Sequence, residues 1–214
     1  MSSLLSSLVA ALLLVNLVTL GTSRIGTVVR AVAVQGVLLG FLAVAAHGQD
    51  GIRVLLLAGA SILLKGWLIP HVLFRALREV QIQREVEPSL GLLPSLLLGA
   101  FATVLAVVAG GQLPVAETRL APLLIPASLA TIAAGFILLT TRRKAITQVL
   151  GYLVLENGIF VFGLLLVDAM PFLVEAGVLL DLFVGIFVLS IIIHHINREF
   201  ASLDTRRLSL LRES

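Results

Sequence analysis

Long stretches of this chain show no alternation between hydrophobic and polar positions; they are apolar on every face. Seven such runs can be read: Leu4–Leu20, Ile25–Ala46, Ile52–Phe74, Leu90–Ala109, Leu120–Thr140, Ala145–Val167 and Pro171–His194. A helix needs about 20 residues to cross a hydrocarbon core of roughly 30 Å, and each run is close to that length. The period of two that marks a half-buried strand is missing. Only helices and closed barrels satisfy their backbone polar groups in lipid. The pattern therefore predicts an all-α integral membrane protein, a bundle of seven transmembrane helices. Residues 1–89 hold the first three helices and a loop, 90–139 the fourth and fifth, 140–196 the sixth and seventh, and 197–214 a polar tail.

Composition narrows the class. Apolar residues make up 59% of the 214 and charged residues 13%, against about 45–50% and about 25% in soluble domains. The mean hydropathy is +1.12. That excess is too large for the interior of a soluble protein of this size, so a soluble enzyme, a nucleic-acid binder and a disordered chain are excluded. There is no Cys, hence no disulfide, thiolate metal site or Fe–S ligand set. The first run is not built like a signal peptide: Met1–Ser7 has no Lys or Arg, and Arg24, the first positive residue, follows the run. It reads as an uncleaved first helix.

Charge gives an orientation. With the N-terminus outside, twelve basic residues fall on the inner side: Arg24, Arg30, Arg75, Arg78, Arg84, Arg142, Arg143, Lys144, Arg198, Arg206, Arg207 and Arg212. Only Arg53 and Arg119 fall outside. By the positive-inside rule this predicts an N-out, C-in, multi-pass protein of the cytoplasmic membrane, its C-terminus cytoplasmic. The longest loop, 75–89, has mixed charge and reads as an amphipathic segment on the inner surface. The first three and last three helices also form a faint repeat. In each, the second helix follows a basic loop and carries an amide–glycine pair, Gln35-Gly36 and Asn157-Gly158.

Three ionisable residues lie near mid-membrane. Lys65 is 12 residues after Arg53, Glu156 is 12 after Lys144, and Asp181 is 10 after Pro171. At 1.5 Å per residue those are depths of about 18, 18 and 15 Å. Each charge costs about 2.5–3.5 kcal/mol by insertion scales, so an apolar residue would serve a purely structural helix better. Ion or proton transfer is the functional reading, and a buried ion pair locking two helices is the structural one. Burial and a nearby cation act on a carboxyl in opposite directions, which can hold it close to its switching point.

The neighbours of these residues suggest a polar path. Gln148, Tyr152 and Glu156 are spaced i, i+4, i+8 on one helix face. Gly177, Asp181 and Gly185 share a face in the same way, and glycines let another helix come close. Glu175 lies nearer the outer surface, with His194 and His195 at the inner end of the last run. Ser61 precedes Lys65 by four residues, and Pro70 follows it by five, placed to break the backbone ladder near the lysine. Gly36 and Gly40 fit close helix packing. A haem between His71 and His195 is conceivable, but histidine at a helix end is ordinarily interfacial.

The stretch Gly151-Tyr152-Leu153-Val154-Leu155-Glu156-Asn157-Gly158 resembles the E component of hydrogenase-4 and formate-hydrogenlyase-type complexes. The likeness runs on through Glu175 and Asp181, and Lys65 with Pro70 fits it. Residues 140–196 also resemble subunit K of complex I, the NADH–quinone oxidoreductase, through Arg142-Arg143, Asn157, and Asp181 with Gly185. There the first acid stands four residues before the Asn, a position held here by Leu153, and the second acid is Glu rather than Asp. A similar three-helix pattern occurs in a small component of the multi-subunit sodium/proton antiporters.

The resemblance implies a non-catalytic membrane subunit of a group 4 [NiFe]-hydrogenase, an oxidoreductase complex, in its proton-translocating arm. Glu156 and Asp181 would be the relay carboxylates and Lys65 their charge partner. Gln148, Tyr152, Asn157, Glu175 and His195 would support the path, and Gly151, Gly158, Gly177 and Gly185 would pack the helices. The partners implied are antiporter-like and other membrane-arm subunits, peripheral hydrogenase subunits and the bilayer. This chain would bind no cofactor, the Ni–Fe and Fe–S centres belonging to partners. An antiporter subunit and a structural scaffold are the alternatives.

Overall fold

The computed structural model describes residues 2–47, 52–79, 90–112, 120–167, 170, 177, 183 and 185. Its described residues are helical throughout, without strands. α1 (Ser2–Gly21) and α2 (Ile25–His47) follow the first two apolar runs closely. The third run is α3 (Ile52–Ala60), a π-helical segment (Ser61–Leu68) and α4 (Ile69–Glu79) in succession. α5 (Leu92–Gly110), α6 (Ala121–Thr141) and α7 (Ala145–Gly163) complete the bundle, and a 3₁₀ turn (Leu164–Leu166) ends α7. Six helices are long and apolar enough to cross a membrane: Ser3–Gly21, Ile25–His47, Val54–Arg75, Leu92–Gly110, Pro122–Thr141 and Ile146–Leu166. Most of the seventh run lies outside the described residues, though Gly177, Phe183 and Gly185 within it are helical.

The third run differs from a plain helix for a local reason. Pro70 has no N–H to donate and sits one turn beyond Lys65. Ahead of it the ladder widens, and the Ile69 N–H reaches back to Leu64 O, five residues away. Such π turns are rare and often mark functional positions. The amphipathic segment expected from residue 75 begins as the last turn of α4; residues 80–89 lie outside the described part.

Without water, helices associate through close backbone approach, which needs small residues. α6 and α7 meet in this way. A Cβ on Gly135 would lie 2.3 Å from Leu155 N, on Gly151 2.7 Å from Leu139 N, and on Gly158 2.6 Å from Ile132 N. α2 approaches the π segment as closely: a Cβ on Gly36 would lie 2.6 Å from the Lys65 carbonyl carbon, and on Gly40 2.5 Å from Ile62. A Cβ on Gly185 would meet Ile69 at 3.6 Å, whereas one on Gly177 would meet nothing within 4 Å.

The basic loops gather at one end of the bundle. Gly26, two residues after Arg24, faces Phe74, the residue before Arg75. Arg142, at the α6–α7 turn, reaches Leu20 O near the end of α1 at 2.9 Å. The last carbonyls of a helix lack partners of their own and favour a cation. Arg142 is only 2% exposed, and that burial holds its pKa below the ordinary arginine value.

Candidate functional site: a polar layer across the bundle

Two buried apolar clusters occupy opposite ends of the bundle. One is built around Leu20, Val29, Leu73, Leu138 and Leu150. The other is built around Leu12, Leu39, Leu57, Leu124 and Val161. Along every helix that contributes to both, the polar residues fall between them. α1 gives Asn16, α2 Gln35, the π segment Ser61 and Lys65, α6 Ser128 and Thr131, and α7 Glu156 and Asn157, all buried. The result is a polar layer at mid-bundle, capped by apolar side chains above and below.

Lys65 and Glu156 meet in this layer. Nζ stands 3.6 Å from Oε1, and the two side chains are 6% and 9% exposed. The ammonium also lies over the Phe160 ring, 5.4 Å from its centroid, within range of a cation–π attraction. The wide π turn carries the Lys65 backbone against Gly36, where no side chain intervenes. Ser61 Oγ ties the same segment to α2 by donating to Gly36 O at 3.0 Å.

Beside the ion pair runs a chain of side-chain hydrogen bonds through four helices. Asn157 Nδ2 donates to Gln35 Oε1 at 3.0 Å, and Gln35 Nε2 donates to Asn16 Oδ1 at 2.6 Å. Asn16 Nδ2 donates to Thr131 Oγ1 at 2.8 Å, whose hydroxyl donates to Ala127 O at 2.7 Å. None of the four residues is more than 2% exposed. The two amides of the faint repeat thus bond directly to one another. Gln35→Leu removes the middle of the chain and leaves a donor on Asn157 and an acceptor on Asn16 unmet. Each orphaned buried group costs about 1–3 kcal/mol, so the variant should unfold several degrees earlier in a thermal melt in detergent. Adding Asn157→Leu should cost less than the sum of the two single changes; full additivity would mean the bond carries no energy.

The other candidate residues are placed as follows. Tyr152, one turn before Glu156, is half-buried. Gln148 is exposed, and its Nε2 donates to Arg142 O at 3.1 Å, at the α6–α7 turn rather than beside Glu156. Gly151 and Gly158 face α6. Asp181, Glu175 and His195 lie outside the described residues. Sequence reasoning missed Asn16, Thr131 and the burial of Arg142. A single Asn in an apolar run is a signal for Asn16; nothing in the sequence separates Arg142 from its exposed neighbour Arg143.

An all-helical bundle with six membrane-length helices and a buried ion pair at its centre defines a multi-pass membrane protein. No protein-family model matches the chain, and no solved structure matches it. The uncharacterized protein Rv0085 of Mycobacterium tuberculosis is 30% identical over 188 residues, 87% of this chain and 86% of that protein. The chain belongs to the family of that protein. It is also similar, at 28% identity over 162 residues, to hydrogenase-4 component E of Escherichia coli K12, covering 75% of this chain and 74% of that one. The same values hold for hydrogenase-4 component E of Shigella flexneri.

Proposed function

We propose that the chain is a non-catalytic membrane subunit of a hydrogenase-4-like oxidoreductase complex, and that its polar layer relays protons in the membrane arm. The Lys65–Glu156 pair carries this reading, because two opposite charges stand buried at mid-bundle on helices of otherwise apolar composition. Similarity to hydrogenase-4 component E supports the choice of complex. The Ni–Fe and Fe–S centres belong to partner subunits, since this chain has no Cys to bind a cluster. The apolar clusters at both ends favour movement of charge along the layer over movement straight through the bundle. When Glu156 takes up a proton, Lys65 loses its carboxylate partner, and a charge arriving nearby is felt strongly at low dielectric. Asp181 is the second carboxylate of the relay, and the N-terminus lies outside.

Tagged protein purified from its native membranes in mild detergent tests the assembly. Mass spectrometry should find hydrogenase and antiporter-like subunits as companions; antiporter subunits alone would move the function to ion exchange. In the reconstituted complex, Glu156→Gln or Asp181→Asn should lower proton translocation at least tenfold while redox turnover partly survives. Undiminished translocation in both variants would end the relay reading.

A further inference from the structure

The third membrane span presents an exposed column that changes character along its length. Leu56, Leu63 and Trp67 are 64%, 61% and 63% exposed, an apolar strip suited to acyl chains. Trp67 stacks on His71, with ring centroids 5.8 Å apart and planes inclined by 24°. Beyond them Arg75 and Arg78 are exposed on the same side of α4. Arg75 is the last residue of the membrane-length span, so the column turns basic where the helix leaves the hydrocarbon. Ile69, on the opposite side, is buried and faces Gly185.

We infer that this face holds an anionic phospholipid, its chains along Leu56, Leu63 and Trp67 and its phosphate between His71, Arg75 and Arg78. The match lies in the order of the chemistry. An aromatic ring marks the interface, and cations attract an anionic headgroup just past it. A soluble acidic partner would find the cations but not the apolar strip, which needs an occupant carrying both parts in one molecule. The basic ends of α2 and of the α6–α7 turn lie at the same end of the bundle and add to the positive potential there. This inference requires only that the chain spans a membrane, not that it belongs to a hydrogenase.

Trp67 is the single Trp of the chain, so the site carries its own probe. The full-length protein is reconstituted into phosphatidylcholine vesicles that contain dibrominated phosphatidylglycerol or, in parallel, dibrominated phosphatidylcholine. Bromines quench tryptophan on contact, and the two curves give the relative affinity of the site for each headgroup. Phosphatidylglycerol should be preferred about fivefold, and the preference should shrink as salt is raised from 0.1 to 1 M. Arg75→Gln with Arg78→Gln should bring it to one, whereas Arg143→Gln, an exposed cation elsewhere at that end, should leave it. Equal quenching by both lipids in the unaltered protein overturns the proposal. So does a preference indifferent to salt or equally sensitive to Arg143→Gln, which would mark a diffuse surface potential. The wild-type and salt comparisons stand even if the double variant does not fold.

Discussion

Neutralising Lys65 alone, as Lys65→Met, should destabilise the bundle by about 3–5 kcal/mol, the usual cost of leaving one member of a buried ion pair without its partner. Glu156→Gln should cost somewhat less, because the amide is of similar shape and Lys65 keeps its place over Phe160. Combining the two changes should recover much of the loss, since two apolar or neutral groups need no desolvation compensation. Thermal unfolding in detergent, run on both single variants and the double, gives the coupling energy directly. The functional half of the prediction separates relay from scaffold. A double variant that melts like the wild type yet does not translocate protons assigns the charges to transport. A stable double variant with full translocation would leave them as a structural lock, and the proposed relay would fail.

Gly36→Ala should be the most damaging single methyl group in the protein for this site. The new Cβ would lie 2.6 Å from the carbonyl carbon of Lys65 and 2.6 Å from the Gly66 nitrogen. Those are backbone atoms and cannot swing aside, so α2 and the π segment must separate. Overpacking of this kind costs about 1–3 kcal/mol. Separation also moves Lys65 relative to α7, and the Lys65–Glu156 coupling energy measured in the Gly36→Ala background should fall by half or more. A background variant with normal melting and undiminished coupling would show that the close contact with Gly36 does not position the lysine. Gly59 provides the contrast: a Cβ there meets no atom within 4 Å, and Gly59→Ala should leave both quantities unchanged.

The helices themselves were legible in the sequence because the hydrocarbon core imposes one demand, length without charge, that composition meets or fails locally. For the first two and last two described spans, run and helix agree to within a few residues. Lys65 and Glu156 were legible as anomalies by counting residues from the flanking charges, since depth along a helix is a property of sequence position. Facing is another matter. A soluble helix shows its buried stripe by contrast with a polar one, but these runs are apolar all round and carry no such contrast.

Which residues meet was therefore decided by tertiary packing. The pairing of Lys65 with Glu156 in the described structure depends on a π turn ahead of Pro70 and on Gly36 letting two backbones touch. Its neighbour Asn157 bonds Gln35 because α2 and α7 cross at that height, a fact set by glycine contacts on other faces of both helices. Arg142 shows the same division most plainly. Next to Arg143 in a basic turn, it is read from sequence as one more charge at the membrane surface. The fold instead inserts it at the end of α1, because Leu20 has a carbonyl there that no residue of its own helix can satisfy.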